Sequence, residues 1–134
     1  MAITGGCLCK AVRFSFASPP IWARSCWCRV CQYIGGGSGT VNAAFSLDGM
    51  TTQGELSVFE NVADSGNAMK RSFCPKCGTP VFTESSGRPG TITVRVGALD
   101  DPNAVKPAMT IWTKMAPQWA CVDETLPRFD AAPT

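Results

Sequence analysis

The sequence predicts a mainly β fold, built of short antiparallel strands around clustered cysteines. Thirteen glycines and ten prolines divide the 134 residues into short segments, a pattern typical of chains with many turns. Several segments alternate apolar and polar residues with the two-residue period of a strand, and none shows the periodicity of a long helix. A chain of this length is large enough for one core, so we expect a single domain over residues 1–134.

The predicted strands are recognised by this alternation and by the turns that bound them. The clearest is TITVRVG, residues 91–97, in which apolar residues alternate with Thr91, Thr93 and Arg95. Further strands are predicted at residues 11–16, 40–47, 55–60 and 68–73, and directly after Cys77.

Two short helical segments are expected beside the strands. The stretch QYIGGGSG, residues 32–39, holds at most one turn of helix before its glycines. Asp101 and Pro102 match an N-cap and the first residue of a helix, which Pro107 would end after little more than one turn.

Charge and hydropathy exclude two classes of partner. The formal net charge is +2 and the basic residues form no run, so we expect no nucleic-acid binding. No stretch approaches the roughly 18 apolar residues of a membrane span, and the N-terminus lacks the pattern of a secretory leader. We therefore expect a cytoplasmic protein whose partners are small molecules, and nothing in the sequence indicates an oligomeric state.

The eight cysteines carry the strongest functional signal. In a reducing cytoplasm they indicate metal or thiol chemistry, whereas in a secreted chain the same eight could form four disulfides. Cys121 stands alone. The other seven form three compact groups, which are Cys7 with Cys9, Cys26 with Cys28 and Cys31, and Cys74 with Cys77.

The spacing of Cys74 and Cys77 is that of a metal knuckle. Two thiolates separated by two residues bind one tetrahedral ion, and Gly78 permits the tight turn beneath it. Structural zinc needs four ligands, which Cys7 and Cys9 would complete, so we predict a closed four-cysteine zinc site. The alternative is a redox dithiol, but that motif is expected beside a βαβ pattern, which this sequence lacks.

The group of Cys26, Cys28 and Cys31 predicts a second zinc with one position open. Three protein ligands and a free position are typical of catalytic zinc, so the fourth ligand would be the substrate. Three thiolates give zinc(II) a net negative formal charge, which favours capture of a thiol over generation of hydroxide. Two alternatives stay open: Cys121 could close the site, or the three thiols could be buried without metal.

The motifs GGCLCKAVRF, CWCRVC, FCPKCGTPVF, VGALDDP and IWTKMAPQW...LPRFD resemble, in this order, one known family. It is the glutathione-dependent formaldehyde-activating enzyme family, which also includes centromere protein V-like proteins. The resemblance implies a β-rich fold, the β-tent, similar to that of methionine sulfoxide reductase B. It also implies two zincs per chain. The structural zinc would have the ligands Cys7, Cys9, Cys74 and Cys77, and the second zinc Cys26, Cys28 and Cys31.

The activity implied by the resemblance is condensation of a small-molecule thiol, glutathione, with a small aldehyde, formaldehyde. The reverse reaction is that of a carbon–sulfur lyase. Two positions depart from the family pattern: Trp27 stands where histidine is frequent, and Lys10 where glycine is frequent. Because the chain contains no histidine, acid–base help would come from a carboxylate, a lysine, a tyrosine or water.

Several residues are candidates for contact with glutathione carboxylates. Arg29 and Lys10 carry positive charge, and the loop that contains Gly35, Gly36 and Gly37 could offer backbone amides to an anion. The alternative is that Arg29 is a solvated side chain and the glycines merely form a turn.

Four residues near the C-terminus are interpreted as packing residues. We expect Trp112, Trp119 and Phe129 to lie in the core or in a lid, and Cys121 to be a small buried apolar residue.

Three functional hypotheses follow. The first is a zinc-dependent enzyme that joins or separates a glutathione-like thiol and formaldehyde. The second is a non-enzymatic zinc-stabilised binding module of the same fold. The third is a thiol peroxidase or reductase that uses Cys28 or Cys121.

Overall fold

The computed structural model describes residues 2–133, which form ten strands, one α-helix and two 3₁₀-helices. The strands are β1 Ile3–Gly6, β2 Arg13–Phe16, β3 Trp22–Cys26, β4 Thr40–Ser46, β5 Thr51–Gln53, β6 Ser57–Val62, β7 Ala68–Phe73, β8 Pro80–Ser85, β9 Thr91–Arg95 and β10 Thr110–Ile111. The α-helix, α1, is Arg29–Ile34, and the 3₁₀-helices are Val96–Ala98 and Thr113–Met115. The helices within residues 2–133 fall short of the length and hydrophobicity of a membrane span.

The strands form two sheets, so the predicted mainly β class is confirmed. The smaller sheet has the strand order β1-β2-β5, and the larger has the order β10-β3-β4-β9-β8-β7-β6. Every strand pair is antiparallel except β10 beside β3. The turn between β1 and β2 and the turn between β7 and β8 each carry one cysteine pair of the predicted four-cysteine site.

One face of the larger sheet, which we call the core face, packs against the smaller sheet. Paired residues of neighbouring strands share a face, and residues alternate between faces along a strand. The pairing of Ala43 with Val94 and of Phe45 with Ile92 places these buried residues on one side. They belong to the same buried cluster as the aromatic rings that β2 contributes.

The opposite face, which we call the thiol face, carries a row of polar side chains. On this face Cys26 of β3 pairs with Thr40 of β4. Two residues further along β4, Asn42 pairs with Arg95 of β9. The row continues through the paired Thr93 and Thr83 to Arg71 on β7. Helix α1 lies on this side, because Ile34 lines a cavity together with Arg71 and Arg95.

Most of the predicted strands lie where the alternation placed them. β7 matches residues 68–73, and β2, β4 and β9 lie inside the predicted segments, while β6 is shifted by two residues from 55–60 to Ser57–Val62. Four strands had no predicted counterpart, namely β1, β3, β5 and β10. β1 contains two glycines and β10 has two residues, so neither carries an alternating pattern that could be recognised.

The predicted helix at Asp101 is wrong. Residues 101–104 form a turn, in which a side-chain oxygen of Asp101 accepts a hydrogen bond of 2.8 Å from the amide of Asn103. This local bond gives the backbone an alternative to helix, as aspartate commonly does. The single turn expected before the glycines is present as α1, although it begins at Arg29.

The stacked rings of Phe16 and Phe45 should contribute strongly to stability. Their centroids are 4.0 Å apart with an interplanar angle of 5°, and Phe45 is fully buried. We expect Phe45→Ala to lower the free energy of unfolding by about 3–5 kcal/mol, because it leaves a cavity between the sheets. Urea denaturation would measure the change. The control is Phe59→Ala, whose side chain is 59% exposed, and equal losses in the two variants would contradict this account of the core.

Candidate metal centres

The first cysteine cluster lies where the two sheets meet. Cys7 and Cys9 occupy the turn between β1 and β2, and Cys74 and Cys77 the turn between β7 and β8. Their four Sγ atoms lie within 4.8 Å of one another. The Cys7–Cys9 and Cys9–Cys74 sulfur separations are 3.5 Å and 3.7 Å. The structure therefore brings together the four residues that the spacing predicted.

Both turns point backbone amides at the sulfur atoms. The amide of Val12 donates to Cys7 Sγ at 3.2 Å, and that of Lys76 donates to Cys74 Sγ at 3.4 Å. Such bonds stabilise thiolates. Hydrogen bonds from the hydroxyl and amide of Thr79 lower the pKa of Cys77 to about 5.

Each turn also needs a residue with positive φ directly after its second cysteine. Gly78 has φ +75°, and its amide bonds to the carbonyl of Cys74 at 2.8 Å. Lys10 has φ +68°, and its amide bonds to the carbonyl of Cys7 at 3.0 Å. This conformation favours glycine, which explains why glycine suits the position where this chain has Lys10.

The donor set of the first cluster fits zinc. Four sulfurs around zinc with bonds of about 2.3 Å form a tetrahedron with edges of about 3.8 Å. The separations of 3.5 Å and 3.7 Å approach that edge. Thiolates are the ligands that structural zinc prefers, and four of them complete its coordination.

The second cluster lies on the thiol face, at the junction of β3 and α1. Cys26 ends β3, Cys28 is the N-cap of α1, and Cys31 lies in its first turn. Their sulfurs lie within 4.8 Å of one another, so the three predicted residues are brought together. The Sγ of Cys28 accepts a hydrogen bond of 3.4 Å from the amide of Cys31. Cys26 and Cys31 are buried, whereas Cys28 is half-buried.

Gln32 holds the second cluster against the C-terminal part of the chain. It is buried, and its side-chain nitrogen donates to the carbonyls of Trp27 at 2.8 Å and Met115 at 2.9 Å. This anchors both the loop before α1 and the second 3₁₀-helix. The donor set again suits zinc, which catalytic sites hold by three protein ligands.

The pKa values of the thiols in the second cluster are shifted in opposite directions. Hydrogen bonds with Cys28 and Cys31, together with burial, raise the pKa of Cys26. Hydrogen bonds from Cys26 and Cys28 lower the pKa of Cys31, and the hydroxyl of Thr40 and the charge of Arg95 lower it further. These hydrogen bonds and the charge of Arg95 favour the thiolate form of Cys31.

Arg95 is a further site residue, which the alternation of residues 91–97 places on the polar face of β9. That face is the thiol face, and there the side chain is only 9% exposed. Its Nη1 donates to Asn42 and, at 3.4 Å, to Thr40, and its Nη2 donates to Thr83 at 3.0 Å. The signal available in the sequence was a positive charge between two valines, Val94 and Val96, at the end of β9.

Cys121 lies outside both clusters and is exposed, so the expectation that it is buried is wrong. It lines a cavity of about 530 Å³ together with Ser25 and Val41. These two residues pair with each other next to the pair of Cys26 and Thr40, and therefore project to the opposite face of the sheet. Cys121 is thus not one of the grouped thiols, although Trp27 and Thr40, which lie beside the second cluster, line the same cavity.

Of the predicted glutathione contacts, Arg29 and the three glycines lie at α1 or directly after it, whereas Lys10 lies in the turn between β1 and β2. Arg29 is exposed, donates a hydrogen bond to Gln32, and lies 5.0 Å from the ring centroid of Tyr33. The amides of Gly35 and Gly37 donate to carbonyls of α1 at 2.7 Å, and Gly36 is exposed with φ +74°. These contacts to a ligand stay predictions.

The C-terminal aromatic residues differ in burial. Trp112 packs against the second cluster. Trp119 is 66% exposed and meets the buried Trp27 edge-on, with centroids 6.4 Å apart. Phe129 is 37% exposed and therefore lies outside the core.

Fold and site together define a class, namely a small mainly β protein with two groups of thiols spaced as metal ligands. The sequence profile described as "Glutathione-dependent formaldehyde-activating enzyme" matches residues 2–115. The chain belongs to this family, which confirms the resemblance recognised from its motifs.

Two individual proteins extend the comparison. A protein of Halomonas elongata, named "Putative glutathione-dependent formaldehyde-activating enzyme", is 28% identical over 105 residues, which cover 75% of this chain and 67% of the relative. A crystal structure of a Rhodobacter sphaeroides protein superposes with a TM-score of 0.58 at 24% identity, covering 78% of this chain and 91% of the other. The second match supports the fold alone.

The two clusters and Cys121 should differ in their effect on bound metal. We expect Cys28→Ser and Cys74→Ser each to lower bound zinc by about one equivalent per chain, because each removes a ligand from a different site. Only Cys74→Ser should also lower the melting temperature strongly, since the first cluster joins the two sheets. Elemental analysis after anaerobic reconstitution measures the zinc. The control, Cys121→Ser, should keep both equivalents, and a loss of zinc there would contradict the separation of Cys121 from the second site.

Proposed function

We propose that this protein is a zinc-dependent enzyme of the carbon–sulfur lyase type, which forms or cleaves the adduct of a glutathione-like thiol with formaldehyde. Family membership and the name of the Halomonas elongata relative support this chemistry. A reducing compartment such as the cytoplasm would keep the eight cysteines, all free here, in the thiol form.

The observation that carries the proposal is the difference between the two clusters. The first groups four cysteines and would saturate a tetrahedral ion, whereas the second groups three among the described residues. Cys28, one of the three thiols, is only half-buried, so a ligand from solution can reach the group. Saturation suits a structural role, and the open position suits a substrate.

Zinc held by Cys26, Cys28 and Cys31 would stabilise the thiolate form of a substrate thiol. The residues of the chain would do the rest by position and charge. Cys26 and Cys31 are buried against Ile111, which excludes water from the inner side of the group. Arg95, on the other side of β3 from Ile111, places a positive charge near Cys31 and offsets part of the negative charge of the thiolates.

The reaction needs no oxidant or reductant. The sulfur of the thiol forms a bond to the carbonyl carbon of formaldehyde, and the π electrons of the carbonyl move to its oxygen. The proton that the thiol loses to water is replaced by a proton that water gives to the new hydroxyl, so that RSH and CH₂O give RSCH₂OH. Cleavage follows the same steps in reverse.

Catalysis is tested by exchange spectroscopy with ¹³C-formaldehyde and glutathione, which form the adduct slowly on their own. We expect the zinc-loaded protein to accelerate the exchange, and Cys28→Ser to lower the acceleration by at least about tenfold because it removes a ligand of the open site. Cys121→Ser should retain the acceleration.

A second measurement reports binding independently of turnover. With cobalt(II) in place of zinc, glutathione should change the visible absorption spectrum, because a fourth sulfur enters the coordination sphere. A spectral change without acceleration would favour the non-enzymatic binding module. Acceleration that persists in Cys28→Ser would contradict the open site.

A further inference from the structure

A second cavity, with a volume of about 190 Å³, lies on the thiol face beside α1. Its walls are mainly apolar and include Ile34, Phe59 and Phe73. Two guanidinium groups, those of Arg71 and Arg95, also line it. The cavity therefore combines an apolar wall with two positive charges.

No acidic residue of the described chain lines this cavity. The only ion pair within residues 2–133 joins Arg13 to Asp100, so neither Arg71 nor Arg95 pairs with a carboxylate there. Three thiolates around a divalent ion leave one negative charge, which offsets one of the two guanidinium groups. The second guanidinium still lacks an anion.

Both arginines keep hydrogen-bond donors unused. The Nε of Arg95 is buried without a hydrogen-bond partner, although buried polar atoms are normally paired. Arg71 donates through Nε to Asn61 at 3.0 Å, and its terminal nitrogens make no hydrogen bond within residues 2–133. These donors are suited to carboxylate, which guanidinium groups bind through two parallel hydrogen bonds.

The cavity is close to the second cluster. Ile34 follows Cys31 by three residues in α1, a rise of about 4.5 Å along the helix axis. Arg95 links the two places, because it lines the cavity and its Nη1 donates at 3.4 Å to Thr40, which pairs with Cys26 of the cluster. A molecule with a thiol at the cluster could thus place another group, a few bonds away, between the arginines.

We infer that this cavity is the carboxylate-binding subsite for the thiol substrate, with Arg71 and Arg95 as its anion-binding residues. The inference rests on the proposed function, and it adds which side chains of this chain bind a carboxylate of the glutathione-like thiol. The apolar wall would contact the methylene groups of that thiol.

The experiment measures binding to the zinc-loaded protein by isothermal titration calorimetry. Its probes are glutathione, glutathione diethyl ester, which lacks both carboxylates, and 2-mercaptoethanol. We expect Arg71→Met to weaken glutathione about tenfold or more, because a charge-assisted bond to the carboxylate is lost. Binding of the ester and of 2-mercaptoethanol should not change.

Lys70→Met is the matched control, because Lys70 lies next to Arg71 on β7 but on the opposite face. It removes the same charge from the same strand and should leave glutathione binding unchanged. Should Arg71→Met fail to fold, Arg71→Gln provides the same test and keeps a donor for Asn61. The inference is overturned if the Arg71 variant binds glutathione like the parent protein, or if the parent binds the ester as tightly as glutathione.

S-methylglutathione separates failure of the inference from failure of the proposed function. It keeps both carboxylates but has no thiol to offer to a metal. Binding that depends on Arg71, together with no response of the cobalt spectrum to any thiol, would support the subsite and overturn the proposed function. Thiol binding to the metal that is independent of Arg71 would support the function and overturn the subsite.

Discussion

The four-sulfur contact between Cys7, Cys9, Cys74 and Cys77 is the constraint on which the rest of the structure depends. It ties a turn of the smaller sheet to a turn of the larger one, across 65 residues between Cys9 and Cys74. An ion held there closes a long loop, which restricts the unfolded chain, and fixes the smaller sheet over the core face. The strands are short, so such a link supplements the limited area that each of them buries.

The two faces of the larger sheet divide structure from chemistry. The core face carries Phe45 and Val94, which are fully buried against the smaller sheet. The thiol face carries Cys26 and Arg95, and α1 lies over this face. Because a strand alternates its side chains, a single segment such as β4 can serve both faces.

The cysteine pattern made both clusters predictable, because the geometry of a knuckle is local. Two thiols two residues apart on a turn lie close enough to bind one ion, and this proximity depends little on the rest of the chain. Arg95 was not predictable as a site residue, since its burial depends on which element covers its face of the sheet. β3 was missed for a similar reason, because its pairing with β4 and β10 and not its own alternation makes it a strand.

Charge explains why the guanidinium of Arg95 can be buried at the end of β9. An isolated buried cation is costly, and the hydroxyl and amide groups around Arg95 only satisfy part of its hydrogen bonding. The sulfurs of Cys31 and Cys26 supply the opposite charge that burial requires, and both favour the charged form of Arg95. The dependence is mutual, because three thiolates crowded within 4.8 Å repel one another unless a cation lies close. Arg95 is therefore part of the second cluster. Because the chain has no histidine, all grouped ligands of this cluster are thiols, and the charge of Arg95 offsets part of their negative charge.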